Sequence, residues 1–335
     1  MSQQVGQLFM VGISSGGLGR GDADVLSDGE VGSVIFLGNS TAGADRVARL
    51  VTSVRAVTAT PRGIETMLTV DQEGGQVQRL KGSGFDRIPS AQRQAQLSDG
   101  RLRDDAETWG KQLKKVGIDA DLAPVADVVP KSFERVNQPI GLLDRGYGPD
   151  AEVVADKVSA FIAGMDEAGI ATSVKHFPGL GQVRGNTDFS SRVVDRSTTR
   201  HDADLAGFAA GVKDGTDMVM VSTAFYDRID PDHRAAFSKK IITTMVRGDL
   251  GFNGVVISDD LAARAVRDLS PGQRALQFLG AGGDLAIVGD PDLADDMISA
   301  VTSRATSDRD FAADVRVKAT RVVEMKHRRG LADCG

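Results

Sequence analysis

Eight short apolar runs, stretches of helical periodicity between them and a length of 335 residues predict an α/β fold, a single (β/α)8 TIM barrel. The runs are QLFMVGI from Gln7, VGSVIFLG from Val31, TMLTVDQEGG from Thr66 and GIDADLAPVADV from Gly117, then TSVKHFPG from Thr172, MVMVST from Met218, GVVISDD from Gly254 and DLAIVGD from Asp284. Six of the eight end in glycine or a polar group. A parallel strand covered by helices reads as such a run because it is buried on both faces. Apolar residues at helical spacing predict helices over Ala44–Ala59, Asp104–Lys115, Ala151–Glu167, Ser238–Arg247 and Pro271–Leu279. A doubly wound open sheet shares this alternation, and the unit count together with the length favours the barrel. No linker rich in Pro, Gly or Ser divides the chain, so residues 1–335 are expected to form one domain.

Hydrophobic residues at 41% and charged residues at 26% are those of a folded globular chain. A net charge of −6 without a basic run argues against nucleic acid as partner and for a small or neutral ligand. The basic residues from Lys318 to Arg329 are scattered and read as a solvated helix end. The one cysteine, Cys334, leaves no intrachain disulfide and no thiol nucleophile in the body of the chain. No segment reaches the ~18 apolar residues of a membrane span, and the start MSQQVGQLFMVGI lacks the pattern of an export signal, so a cytoplasmic location is expected. G-x-G-x-x-G, Walker-type, H-E-x-x-H and cysteine-cluster patterns are missing, so neither cofactor nor metal is implied. With one Trp, two Tyr and thirteen Phe there are few aromatic platforms for stacking a long ligand, which favours a compact pocket over an extended groove.

The longest irregular stretches, residues 74–98, 130–149 and 179–195, follow strand ends, where a barrel builds its active face. In TSVKHFPGLGQVRGNTD, Lys175 and His176 leave a buried run before a proline. Lys175 could form a Schiff base at a depressed pKa, as in an aldolase-like lyase. His176 could be a satisfied structural histidine, although its place beside Lys175 argues against burial in the core. GVVISDDLAARAV places Asp259 and Asp260 at a strand exit, with Asp260 suited to cap a helix from Leu261 onward. TVDQEGGQVQRL carries Asp71 and Glu73 into a glycine turn, and on its own this is a turn with solvated acids. Arg145, in GLLDRGYG, reads as a surface ion pair on the same terms.

Taken together, KHFPG, DQEGG and SDDL resemble motifs of glycoside hydrolase family 3, in its branch of β-N-acetylhexosaminidases of peptidoglycan recycling. The resemblance runs from VGQLFMVG to beyond SDDL. It implies a retaining, exo-acting hydrolase of terminal β-linked N-acetylglucosamine, with Asp259 as nucleophile forming a covalent glycosyl intermediate. It also implies that Asp71, Arg79, Arg145, Lys175 and His176 bind a small carbohydrate substrate. Gln76 replaces the arginine within the family's DQEGGRVQR. The larger departure is downstream. Counting without gaps, the family's Asp and His acid/base pair falls on Asn186 and Asp188, and the histidine of its GHG is Leu180. Either Asp188 acts directly as general acid/base, giving the two-carboxylate arrangement common to glycosidases, or the chain is a glycan-binding relative with impaired turnover. In the first case burial or repulsion from Asp259 must raise the Asp188 pKa.

Overall fold

The computed structural model describes residues 1–58 and 61–333; Ala59, the last residue of an expected helix, and Cys334 lie outside the described residues. Eight parallel strands form one sheet: β1 (Phe9–Ser14), β2 (Ser33–Leu37), β3 (Met67–Val70), β4 (Ala120–Asp121), β5 (Ala171–Phe177), β6 (Met218–Val221), β7 (Val255–Ser258) and β8 (Ala286–Val288). Neighbours in the chain pair from β1 to β7, and β8 pairs with β1. A parallel bridge from Ile257 to Leu285 joins β7 to β8 and completes the ring. The sheet is therefore a (β/α)8 barrel and not an open doubly wound sheet.

Around it run α1 (Asp22–Asp28), α2 (Ala44–Val57), α3 (Asp99–Lys115), α4 (Ala151–Glu167), α5 (Ala206–Lys213), α6 (Lys240–Asp249, π-helical), α7 (Pro271–Ala281), α8 (Ala294–Ser307) and α9 (Arg309–Arg328). Helix α3 starts before the apolar periodicity does, because Ser98 caps it by accepting from the Arg101 amide. The chain after Asp260 turns without forming a helix at Leu261; α7 begins at Pro271 under a Ser270–Gln273 capping box. Asp260 is thus not a helix cap, and its role is taken up below.

Alternation along the strands sorts the core into two layers. Met10, Ile35, Met67, Ala120, Met218, Met220, Val255, Ile257 and Ile287 fill the bore. Their strand neighbours Val11, Val34, Phe36, Leu68, Val70, Val219, Val256 and Val288 pack outward under the helices.

The amino-terminal end of the bore is shut by α9, whose Val322 and Met325 join the inner cluster with Leu331. Lys318 and Lys326 of this helix are 3% and 0% exposed while His327 and Arg328 are open, so the basic terminus is a solvated helix end only in part. The Lys326 ammonium donates to Gln7 Oε1 at 2.6 Å, the Gly32 carbonyl at 2.5 Å and the Glu65 carbonyl at 3.0 Å.

A Gly-x-Asp triplet precedes each of β4, β6 and β8: Gly117–Asp119, Gly215–Asp217 and Gly282–Asp284. The glycines take φ of +86°, +86° and +109°, the left-handed geometry that ends the preceding helix. The aspartates reach back to an amide of the previous strand, Leu68, Thr172 and Val256 respectively. Each also holds arginine: Arg55, Arg329, and the pair Arg247 and Arg321.

Candidate active site

At the carboxyl ends of the strands lies a cavity of about 380 Å³ lined by Asp71, Arg79, Arg145, Lys175, His176, Asp188 and Asp259, among others. All seven residues singled out in the sequence meet there. The alternation that sends Met67 and Thr69 into the bore also brings Asp71 to it. In the same way Val255 and Ile257 lead to Asp259. Ile35, Leu122, Met220 and Ile287 supply an apolar floor beneath these polar groups.

One wall is an ion cluster. Lys175 donates to Asp71 Oδ1 and lies against Glu73 Oε1, both at 2.6 Å. Arg145 grips Glu73 with two parallel bonds, Nε to Oε2 at 2.8 Å and Nη2 to Oε1 at 2.7 Å, and donates to the Pro139 carbonyl at 2.7 Å. Burial by itself would raise the Glu73 carboxyl, yet Arg145 and Lys175 outweigh it and hold Glu73 well below the usual carboxylate range. Burial lowers Lys175 and the charges of Asp71 and Glu73 raise it further than that, so it is a firm ammonium. A Schiff-base reaction needs the free amine, so this pairing disfavours the lyase reading.

Several expectations need correction here. Glu73 is not a solvated acid but 5% exposed. Arg145 is no surface ion pair: its side chain is 13% exposed and locked onto Glu73. His176 is buried after all, and so is Lys175. Their polar atoms are matched with charged partners, which is what makes such burial tolerable. His176 Nδ1 sits 2.8 Å from Asp127 Oδ2, and the other oxygen of Asp127 accepts from the His176 and Leu180 amides. This fixes the ring so that Nε2 turns toward the Arg145 guanidinium at 3.5 Å. The Lys175–His176 and Phe177–Pro178 peptide bonds are cis.

Opposite stand the carboxylates. Asp259 Oδ1 accepts from the Asp260 amide at 2.8 Å. Asp260 accepts from the amides of Ala262 and Gly289, both at 2.8 Å, and so ties the β7 exit to the β8 exit. Burial raises its carboxyl, with these bonds acting against the rise.

Asp188 sits on the lip with an open side to solvent, next to buried Asn186 and Thr187. Enough protein crowds its carboxyl for lost hydration to lead the shift; repulsion from Asp259 and then Asp260 adds to it, and the group is pushed up to about 6. Water on the open side screens part of that repulsion.

The loop carrying Asp188 is held from several directions. Asn186 Oδ1 accepts from the Asp188 amide at 2.9 Å, and the Ala265 amide donates to the Thr187 carbonyl at 3.0 Å. Asn137 donates to the carbonyls of Leu180, Gly181 and Val183. Tyr226 donates its hydroxyl to the Gly179 carbonyl at 2.8 Å. Gly181 lies so close to the neighbouring loop that a Cβ would come within 1.7 Å of the Val128 carbonyl oxygen.

Comparison with known proteins then decides the family. The family model described as Glycosyl hydrolase family 3 N terminal domain matches residues 1–325. The chain belongs to glycosyl hydrolase family 3. It is similar to the crystal structure of a Beta-N-acetylhexosaminidase from Beutenbergia cavernae DSM 12333, 44% identical with a TM-score of 0.95, over 97% of this chain and 98% of that one. It is 33% identical over 309 residues to a Beta-hexosaminidase of Xylella fastidiosa (strain M23), covering 90% of this chain and 88% of the relative. A family 3 beta-N-acetylglucosaminidase structure from Paenibacillus sp. str. FPU-7 shares 26% identity and a TM-score of 0.88 over the whole of this chain and 64% of its own. This family 3 chain is accordingly a glycosidase.

Sequence reasoning passed over Asp127, Asp121 and Asn137 in and behind this cavity wall. Asp127 had a signal, since it stands next to the end of the run that also carries Pro124. Asp121 is 0% exposed, accepts from the Gln72 amide at 2.9 Å and is pushed up to about 8, chiefly by burial with repulsion from Asp71 and Glu73 added. A neutral carboxyl there spares the ion cluster a third negative charge. Gln76 is exposed on the rim of the cavity. Among the described residues no group of three metal-ligating side chains is found, and no helix is long and apolar enough to cross a membrane.

Proposed function

We propose that this glycosidase removes a terminal β-linked N-acetylglucosamine with retention, through a covalent glycosyl ester on Asp259. The observation that carries the reading is the pairing of Asp259 with a carboxyl of raised pKa across one small cavity. Double displacement requires one carboxylate to attack and a second carboxyl to hold a proton for the leaving oxygen. In the first step Asp188 protonates the glycosidic oxygen while Asp259 attacks the anomeric carbon. In the second, Asp188 as carboxylate takes a proton from water, which attacks the same carbon and frees Asp259.

A cavity of about 380 Å³ suits one sugar ring and so an exo mode of attack. The hydroxyls would be held by Asp71, Lys175, His176, Arg145 and Arg79, as the family resemblance implies. N-acetylglucosamine as the sugar rests on the hexosaminidase names of the relatives at 44% and 33% identity. Fragments of peptidoglycan are the proposed natural source, by the same resemblance. Water is the proposed acceptor, because an ionised Asp188 repels phosphate in the second step.

The competing reading, a glycan-binding relative with impaired turnover, draws on Asn186 and Asp188 standing where the family has its Asp and His pair. A screen of nitrophenyl β-glycosides followed by Asp188→Ala separates the two. On the hydrolase reading, the variant keeps its glycosylation rate on dinitrophenyl glycosides, loses natural substrates, and yields β-glycosyl azide when azide is added. Equal loss on both substrate types without azide rescue would falsify the role of Asp188 and favour the binding protein. A 2-deoxy-2-fluoro glycoside should label the peptide that contains Asp259.

A further inference from the structure

Five large apolar side chains are exposed among the described residues: Met1, Leu142, Val153, Phe189 and Val317. Phe189 is the most open, at 75%, and it alone of the five lines the cavity. A single exposed apolar group is ordinary on a protein surface. What sets Phe189 apart is its place: it follows Asp188 directly, on a loop pinned to the loops after β4, β6 and β7. Facing the same space are Pro139 and Leu143, and Leu142 beside Leu143 is 51% exposed. The mouth of an otherwise charged cavity thus carries an apolar rim.

We propose that Phe189 is the platform of the subsite for the leaving group, stacking on the C–H face of the sugar ring linked to the terminal residue. This rests on Asp188 as the acid of the proposed reaction. An acid that protonates the glycosidic oxygen must stand beside that oxygen, and the departing ring is bonded to it. The residue next in the chain, open at the lip, therefore borders the departing ring. Pyranose rings present apolar C–H faces to aromatic side chains, and the ring of Phe189 needs no rearrangement of its buried neighbours to offer one. The subsite is one-sided and open, so it selects for a ring at that position without enclosing what lies beyond. Leu143 and Pro139 line the same mouth.

The test compares two substrates in wild type, Phe189→Ala and Phe189→Trp: the β-1,4-linked dimer of N-acetylglucosamine and methyl β-N-acetylglucosaminide, which has no ring to stack. Phe189→Ala should lower the ratio of kcat/KM for the dimer to that for the methyl glycoside by about tenfold, as loss of one ring contact implies. Phe189→Trp should restore it. An unchanged ratio, including an equal loss on both substrates, overturns the subsite.

Titration calorimetry of the dimer and of free N-acetylglucosamine, in the inactive Asp259→Asn background so that the dimer is not consumed, provides an arm that needs no turnover. That protein should bind the dimer more tightly than the monomer, and adding Phe189→Ala should erase the difference. If wild type hydrolyses neither substrate, the hydrolase reading fails while the calorimetric difference still decides on Phe189. An Asp259→Asn protein that binds both sugars alike removes the platform whatever the fate of that reading.

Discussion

Two lysines are buried at opposite ends of this barrel, and their surroundings drive them in opposite directions. Lys175, at the carboxyl end, lies between Asp71 and Glu73 and is raised above the ordinary lysine value despite its burial. Lys326, under the amino end, meets only the uncharged oxygens of Gln7, Gly32 and Glu65, and burial lowers it to about 7. Burial is common to both, so the charge of the partner makes the difference. The aspartates divide likewise. Those beneath the barrel are tied to arginines and strand amides, whereas Asp188 and Asp259 face a cavity. One end is closed over its charges, and the other leaves carboxylates facing open space.

The sharpest separation of the two ends comes from a pair of isosteric changes. Asp259→Asn should cut kcat by at least about 10⁴-fold, on the order of 5 kcal/mol of barrier, while the thermal midpoint stays put. Asp284→Asn should do the reverse. It leaves Arg247 and Arg321 facing a neutral amide, costs about 3 kcal/mol of stability, and spares the turnover of the molecules that remain folded. Loss of kcat in Asp284→Asn with unchanged denaturant stability would erase the division between the ends.

Next in size is the lysine pair itself. Lys175→Met strands Asp71 and Glu73 side by side without their shared cation. About 3–5 kcal/mol of stability and all sugar binding should go with it, read by urea melts and by calorimetry. Lys326→Met leaves the active end intact, so the folded variant should bind and turn over sugar as wild type does.

The third comparison is in pH. Lys326 has its folded pKa near 7 and its unfolded pKa near about 10.4, so the unfolded chain binds more protons between those values and stability rises with pH across that window. Between pH 7 and 9 this lysine should contribute a rise of about 2–3 kcal/mol, which Lys326→Met abolishes. Chemical denaturation of both proteins across that range reads the difference directly. Parallel curves would show that the lysine is hydrated in solution.

The smallest effect belongs to activity. In the proposed reaction Asp188 donates a proton only below its value of about 6, so kcat/KM on natural substrates should fall about tenfold per pH unit above it. Dinitrophenyl glycosides, which need little acid help, should show no such limb in the glycosylation step. A decline common to both substrate classes would point to a group other than Asp188.

The sequence by itself determined the strand count, the barrel and which residues stand at the strand exits. Apolar runs and period-two alternation are local properties, and they send Asp71 and Asp259 toward one bore. What the tertiary structure decided is who faces whom. Glu73 reads as a solvated acid in a glycine turn until Arg145, from a loop seventy-two positions on, closes on it. His176 looks too polar for burial until Asp127 appears behind its ring. The last helix reads as a solvated basic tail until the open end of the barrel gives Lys326 its oxygens. Asp260 resembles a helix cap, yet the amide of Gly289 on the next strand claims it. In each case the deciding partner is distant in the chain, and the cost or benefit of a buried charge depends on that partner and on little that lies nearby in the sequence.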